Sequence, residues 1–271
     1  MQNITILVCL YNKSIDESNT IQSLLKVSDL IKDAKIFIWD NSLKKLDSRS
    51  FDLLSQHFKN LRYNHTPENV VLSKVYNSVI EEQINTDSYL VLFDDDSDIP
   101  ISFFNKLKEQ IGLNPLINLF LPQIYSNAIL VSPAKDYLIK TRLIKTLKPG
   151  ILNSNYVTAI NSGMVISNRV FADGFRYNEK LSFYGTDNFF MRQYAQAYKE
   201  LVILDIKIEH DLSFNNSKDI ANKIRIFKEI KRANRVIYSQ NKFEKGVIMF
   251  NNFIVSLKLC VKHKSLAFLY D

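Results

Sequence analysis

Apolar runs alternate with amphipathic segments along the first three quarters of the chain. Short, mainly apolar runs, typical of strands, occupy residues 4–10, 35–39, 89–93, 119–124, 160–167 and 201–208, and a further short strand is predicted at residues 61–65. Apolar residues recur with the helical period in residues 21–30, 51–58, 67–80, 103–111 and 189–194. Because strands and helices alternate, the pattern predicts an α/β fold. Its mostly parallel, doubly wound (Rossmann-like) sheet would carry functional loops at the carboxyl ends of the strands.

The strand predicted at residues 89–93 runs directly into three adjacent carboxylates, Asp94, Asp95 and Asp96. Three like charges at one strand end repel one another, so either one carboxylate stays protonated or a cation binds nearby. A hard divalent cation, which prefers oxygen ligands and bridges to phosphates, suits this cluster best. The alternative interpretation is an acidic, solvated loop that binds nothing.

Composition narrows the classes of protein to consider. The length of 271 residues suits one large domain or two small ones. The net charge of +7 and the pI of about 9.1 favour an anionic partner. We predict neither a membrane-spanning helix nor a signal peptide, and two isolated cysteines indicate a reducing, cytoplasmic location. With six glycines and no glycine-rich phosphate motif, metal and side chains would have to hold a bound anion.

Two segments are rich in basic residues. Residues 126–156 have weak periodicity and indicate a mobile segment over the site. From residue 220 onward the pattern is helical with many Lys and Arg, and Gly246 is predicted to separate two helices. Basic amphipathic helices suit an anionic membrane surface, although many are only solvated. The sequence therefore predicts a catalytic domain at residues 1–212 and a basic helical extension at residues 213–271.

Several residues allow two interpretations. Ser162 and Gly163, at the start of a predicted strand, indicate either a bulge or the close approach of a bulky ligand to the backbone. Thr186 or Asp187 could cap the helix that follows, or Asp187 could face a pocket as a general base. His210, directly after a strand, could be a hydrogen-bonded structural residue or a metal ligand.

Taken together, these segments resemble the family 2 glycosyltransferases of the GT-A fold, of the bacterial polysaccharide and O-antigen type. The resemblance covers about residues 4–212, although Leu10 replaces a usual Thr and Thr186 stands where many members have Glu. The motifs that carry it are Leu10-Tyr11-Asn12, Asp40-Asn41-Ser42, Asn69 with Lys74 to Asn77, Asp94-Asp95-Asp96, Gly185-Thr186-Asp187 with Arg192, and His210.

The resemblance implies an inverting transferase that uses Mn²⁺ or Mg²⁺. Asp96, Asp94 and His210 would hold the metal, and Asp187 would take the proton from the acceptor hydroxyl. Asp40 would contact a pyrimidine base, so the donor would be a UDP- or dTDP-sugar. The acceptor would be a glycan or a lipid-linked molecule at the inner face of the cell membrane. No nucleic acid partner is expected. The residues implied for substrate binding are Tyr11, Asn12, Asp40, Asn69, Lys74, Asn77, Asp94, Asp95, Ser162, Gly163 and Arg192.

Two other functions remain open from the sequence. A haloacid-dehalogenase-like phosphatase also places Asp-x-Asp after a strand, but that strand is the first one and a Thr or Val follows the motif. Here the strand is the fourth, and Ser97 follows. A non-catalytic nucleotide-sugar-binding protein with the same fold is the other alternative.

Overall fold

The computed structural model describes residues 4–82, 87–210 and 219–270, and the structural statements below concern these residues. The strands are β1 (Ile4–Leu10), β2 (Lys35–Asp40), β3 (Asn60–His65), β4 (Tyr89–Asp94), β5 (Ser97–Asp98), β6 (Leu119–Ser126), β7 (Ile129–Ser132), β8 (Ala134–Asp136), β9 (Thr141–Leu143), β10 (Gly150–Asn153), β11 (Val157–Thr158), β12 (Val165–Ser167) and β13 (Glu200–His210). The helices are α1 (Asn19–Lys26), α2 (Ser48–His57), α3 (Leu72–Glu81), α4 (Phe103–Leu113), α5 (Asn168–Ala172), α6 (Thr186–Ala197), α7 (Ile220–Ile237) and α8 (Lys242–His263), with short 3₁₀ helices at Ser28–Ile31 and Leu266–Phe268.

A central sheet organises the chain. Its strands pair in the order β10-β13-β6-β12-β4-β1-β2-β3, and β5 and β7 pair with β13 and β6. Strands β4, β1, β2 and β3 run parallel to one another, whereas β12 is antiparallel to both β4 and β6. The predicted α/β fold with a mostly parallel sheet is therefore confirmed. Strand β12 also joins the parallel half to β6 and β13, which brings the end of β13 near the end of β4.

Both faces of the sheet are covered by helices. Along β4, Val91 and Phe93 pack into one apolar core with α1, α2 and α4, while Leu90 and Leu92 pack into the other with α3, α5 and α6. Successive side chains of a strand point to opposite faces, so a strand buried on both faces has an unbroken apolar run. This explains why the run ends at Asp94, where the strand emerges from the core.

Three local expectations were wrong. Helix α3 begins at Leu72 rather than at residue 67, because Asn69 has a left-handed φ of 54° that interrupts a helix. Residues 126–156 contain β7 to β10, which are too short for their alternation to be recognised. Gly246 lies inside α8, and the break between α7 and α8 falls at residues 238–241. An interior glycine costs a helix only about 1 kcal/mol, which packing offsets.

The C-terminal helices pack against the loops that precede α6. Ala233 and Ile237 of α7 form a small core with Leu181 and with Ile248 of α8. The domain boundary expected at residue 212 lies outside the described residues. In the described part of the chain, no helix has both the length and the apolar character needed to cross a membrane.

Gly163 allows a test of the packing that joins β6, β12 and β13. Its φ is 78°, and a Cβ would lie 2.6 Å from Cγ of Pro122 and 2.9 Å from Cδ1 of Ile208. We expect Gly163→Ala to lower the free energy of unfolding by about 1–3 kcal/mol, measured by urea denaturation, because of overpacking and backbone strain. The control Gly112→Ala, in open space on α4, should instead raise it by about 0.5–1 kcal/mol. Unchanged stability in Gly163→Ala would contradict this packing.

Candidate functional site

A cleft of about 500 Å³ opens where β1, β2 and β4 end. Leu10 pairs with Asp40, and Cys9 pairs with Asp94, so the residues that follow these strands lie at one edge of the sheet. The loop before α6, the end of β13 and helix α7 complete the cleft. Its lining residues are Cys9, Leu10, Tyr11, Asn41, Asn69, Leu72, Asp94, Asp95, Asp96, Phe183, Tyr184, His210 and Arg225.

Asp94, Asp96 and His210 form a cluster in this cleft. One possible ligand atom from each lies within 4.8 Å of the others, and His210 Nδ1 is 3.1 Å from Asp96 Oδ1. Asp96 Oδ1 is buried and makes no hydrogen bond. Burial, together with the charge of Asp96, raises the pKa of Asp94 to about 7, although His210 partly opposes this shift. Two carboxylates and an imidazole gathered at one strand end fit a divalent cation such as Mn²⁺ or Mg²⁺.

The middle carboxylate of the motif is neutralised by protein groups. Asp95 Oδ2 accepts the backbone N–H of Tyr11 at 2.9 Å, and Oδ1 forms an ion pair with Lys13 Nζ at 2.6 Å. Asp95 lines the cleft as expected, but both its oxygens are engaged. Its contacts therefore anchor the loop after β1 to the acidic motif.

Ser162 and Gly163 lie behind the acidic motif rather than in the cleft. Ser162 is fully buried; its Oγ accepts the N–H of Asp94 at 3.1 Å and lies 2.6 Å from Oγ of Ser97. A side chain at position 163 would point at Pro122. Neither residue lines the cleft, and protein packing accounts for the small side chains; the expected contact with a ligand stays a prediction.

Asp40 is also buried, and its carboxylate is not available in the cleft. Oδ1 accepts the N–H of Ser42 at 2.9 Å, and Oδ2 accepts the hydroxyl of Tyr63. Asp40 is not among the residues that line the cleft, and its expected contact with a nucleotide base stays a prediction. Asp40 instead shapes the turn after β2, and this turn presents Asn41 to the cleft.

Asn12 and Lys74, both expected to bind the donor, are not among the cleft residues. Asn12 has a left-handed φ of 52° and donates its N–H to Ser42 Oγ. It lines a neighbouring cavity of about 450 Å³ with Lys13 and other residues of the loops after β1 and β2. Lys74 is exposed on α3.

Asn77 and Arg192 have structural partners instead. The Asn77 side chain donates to the carbonyl of Tyr177 and accepts its N–H, both at 2.9 Å, which fixes the segment before α6. Arg192 forms an ion pair with Glu244, and its guanidinium lies 4.5 Å from the ring centroid of Tyr238. These contacts replace the expected contacts with a donor, because both side chains point into interfaces between elements of the chain.

Tyr11 and Asn69 do line the cleft, as expected. The side chain of Tyr11 is half exposed. Asn69 has the left-handed φ noted above, and its Oδ1 is buried without a hydrogen-bond partner. A buried acceptor with no partner costs free energy, so it suits a ligand that donates a hydrogen bond.

Asp187 lies in the first turn of α6. Gly185, with a φ of 83°, is the N-cap, so neither Thr186 nor Asp187 has the expected capping position. Asp187 Oδ1 accepts the N–H of Asn188 at 2.7 Å. Burial raises the pKa of Asp187, and the charge of Asp187 in turn contributes to the raised pKa of Asp94. Asp187 is not among the residues that line the cleft.

Arg225 is a cleft residue that the sequence analysis missed. It lies on α7, where its guanidinium donates to Glu229 Oε1 and Asn222 Oδ1, both at 2.9 Å. Among the lining residues, all of which the structure describes, it is the one Lys or Arg. One arginine in a helix with many basic residues has no distinguishing spacing, so no sequence signal marked it.

Comparison with solved structures identifies the fold. S. aureus TarS aligns with 88% of this chain and 39% of its own, with a TM-score of 0.55 and 14% identity. TarS 1-349 in complex with UDP aligns with 86% of this chain and 65% of its own, with a TM-score of 0.50 and 12% identity. GalNAc-T7 with UDP, GalNAc and Mn²⁺ aligns with 98% of this chain and 59% of its own, with a TM-score of 0.57 and 9% identity.

These similarities show a GT-A-like glycosyltransferase fold. The chain spans well under half the length of the TarS structure named first. No family model matches the sequence, and no curated protein matches it either.

We predict that Mn²⁺ binds at the cluster of Asp94, Asp96 and His210. Asp96→Asn removes a charged ligand and should weaken Mn²⁺ binding at least tenfold, measured by isothermal titration calorimetry. The control Asp98→Asn changes an exposed carboxylate outside this cluster and should leave the affinity unchanged. If Asp96→Asn bound Mn²⁺ as tightly as the parent protein, the cluster would not be the site.

Proposed function

We propose that the protein is a metal-dependent, inverting glycosyltransferase of the family 2 type. It would move a sugar from a UDP- or dTDP-sugar to a hydroxyl group of a glycan or lipid-linked acceptor in bacterial surface polysaccharide synthesis. The observation that carries the proposal is the cluster of Asp94, Asp96 and His210, with its unsatisfied Asp96 oxygen, inside the cleft of a GT-A-like fold. Neighbours of this fold solved with UDP, and in one case with Mn²⁺, support it.

The cleft suits a nucleoside diphosphate leaving group. Asp94, Asp96 and His210 would hold Mn²⁺ or Mg²⁺, whose charge would stabilise the negative charge that develops on the diphosphate. Arg225 reaches the same cleft, so its guanidinium would donate charge-assisted hydrogen bonds to phosphate oxygens.

The nucleoside would lie between Tyr11 and Asn69. The ring of Tyr11 offers an aromatic surface for a base, and the unpartnered Oδ1 of Asn69 would accept an N–H from a pyrimidine. This assignment replaces Asp40, whose oxygens are bonded to Ser42 and Tyr63.

Asp187 would act as the general base. Its burial disfavours the charged form and thereby raises its pKa, so the ionised carboxylate is a stronger base than an exposed aspartate. Deprotonation of the acceptor hydroxyl by Asp187 would allow in-line attack on the anomeric carbon, with inversion.

The two alternatives predict different products. The phosphatase is not favoured, because the solved structures that align with this chain have the GT-A-like glycosyltransferase fold. Incubating the protein with Mn²⁺ and single nucleotide sugars should stabilise it against thermal unfolding and release UDP or dTDP in the presence of an acceptor. Free phosphate from phosphate esters would indicate the phosphatase, and binding without turnover would indicate a non-catalytic protein.

Arg225→Gln tests the role of α7 in donor binding. Loss of a charged hydrogen bond costs about 1.5–3 kcal/mol, so the Kd for UDP with Mn²⁺ should rise about tenfold or more. Arg232→Gln, on the same helix but outside the cleft, removes the same charge and should change the Kd little. An equal effect of both substitutions would indicate only long-range electrostatics.

Asp187→Asn tests the general base. The amide can still accept the N–H of Asn188 but cannot take a proton, so kcat should fall at least about a hundredfold while the Kd for UDP stays constant. In the parent, activity should rise with pH through the raised pKa of Asp187.

The same raised pKa makes a prediction for stability. The folded state holds the Asp187 proton more tightly than the unfolded state, so ionisation destabilises the fold once the pH exceeds the unfolded pKa. Asp187→Asn should therefore not lower the melting temperature at neutral pH. For the catalytic prediction, turnover of Asp187→Asn within a few-fold of the parent would place the general base elsewhere.

A further inference from the structure

Helix α8 has its apolar face turned away from the protein. At 3.6 residues per turn, five large apolar residues fall within an arc of about 80°. All five are exposed: Phe243 at 77%, Phe250 at 67%, Phe253 at 54%, Leu257 at 43% and Val261 at 82%. We call these five residues the α8 stripe. Contiguous exposed apolar surface of this kind marks an interaction site.

The opposite side of α8 is buried and partly polar. Ile248, Asn252 and Ser256 face the protein. The Asn252 Oδ1 accepts a hydrogen bond from Asn234 Nδ2 of α7 at 3.1 Å, and Ser256 Oγ donates to the Asn252 carbonyl at 2.9 Å. The bond between Asn234 and Asn252, together with the burial of Ile248, fixes the rotation of α8 on α7, so the α8 stripe is held outward.

The net positive charge of the chain is concentrated in the segment that contains α7 and α8. Residues 219–271 contain eleven Lys and Arg but four Asp and Glu, a surplus equal to the whole net charge of +7. The remaining residues are therefore neutral in total. On α8 itself, Lys242 and Lys258 flank the stripe and are exposed.

We propose that α8 lies in the surface of an anionic phospholipid bilayer, with the α8 stripe inserted between the lipids. Interfacial helices combine an aromatic and aliphatic face with flanking cations, which is the pattern of α8. At 22 residues, the helix would lie along about 33 Å of membrane surface. A second copy of this chain is a poorer occupant, because it would bring two strongly cationic surfaces together.

The position of α8 links this surface to the cleft. Helix α8 packs on α7 through Ile248 and Ile237, and α7 carries Arg225 into the cleft. A bilayer bound to α8 would therefore lie near a site that could receive a lipid-linked substrate. The membrane proposal itself does not rest on the proposed function, since it follows from α8 and the charge distribution alone.

Vesicle flotation tests the proposal. The parent protein should float with vesicles of 70% phosphatidylcholine and 30% phosphatidylglycerol at low salt. Binding should fall at least tenfold at 0.5 M NaCl and be at least tenfold weaker with pure phosphatidylcholine. Phe250→Ser with Phe253→Ser should weaken binding to the anionic vesicles at least tenfold. The control pair Ile101→Ser with Leu116→Ser, at residues that are 66% and 84% exposed away from α8, should bind like the parent.

The proposal would be overturned by no binding of the parent, by equal binding to both vesicle types, or by full binding of the Phe250 and Phe253 variant. A parent dimer that this variant dissociates in sedimentation experiments without lipid would also overturn it, in favour of a second copy. If that variant fails to fold, Lys258→Glu with Lys262→Glu should weaken anionic binding at least tenfold, and unchanged binding would count against the proposal. UDP binding is measured separately in each variant, so failure of this proposal is distinguishable from failure of the proposed function.

Discussion

Repulsion among the three carboxylates at the end of β4 is the constraint on which the site depends. The protein neutralises one of them, Asp95, with Lys13 and with the N–H of Tyr11. The other two, Asp94 and Asp96, face His210 and keep an unsatisfied buried oxygen. The arrangement is consistent with a bound divalent cation, and such a cation in turn suits a diphosphate.

Much of the molecule serves to hold this strand end in place. Ser162 fixes the backbone of Asp94 from behind, and Gly163 lets the turn before β12 pass Pro122 and Ile208 without a side chain. The antiparallel strand β12 joins β4 to β6, and β6 joins β13, which ends in His210. A candidate metal ligand, more than a hundred residues further along the chain, is therefore positioned by the sheet itself.

The sequence predicted the sheet and the position of Asp94 and Asp96 at its edge, because both depend on strong local patterns. Apolar runs mark the strands, and acidic residues at a strand end must lie at the sheet edge. It did not predict which polar residues are buried. Asp40 is bonded to Tyr63, and Arg192 is paired with Glu244, which lies beyond the part of the chain that the family resemblance covers. A short motif specifies residue types but not the distant residues that they contact. Arg225 was missed because its spacing does not distinguish it from the other basic residues of α7.

The most direct test of the account is a crystal structure with UDP and Mn²⁺, with diffraction data collected at the manganese absorption edge. We predict one anomalous peak between Asp94, Asp96 and His210, in contact with the diphosphate, with the base near Tyr11 and Asn69. Manganese at another position, or UDP bound outside this cleft, would contradict it.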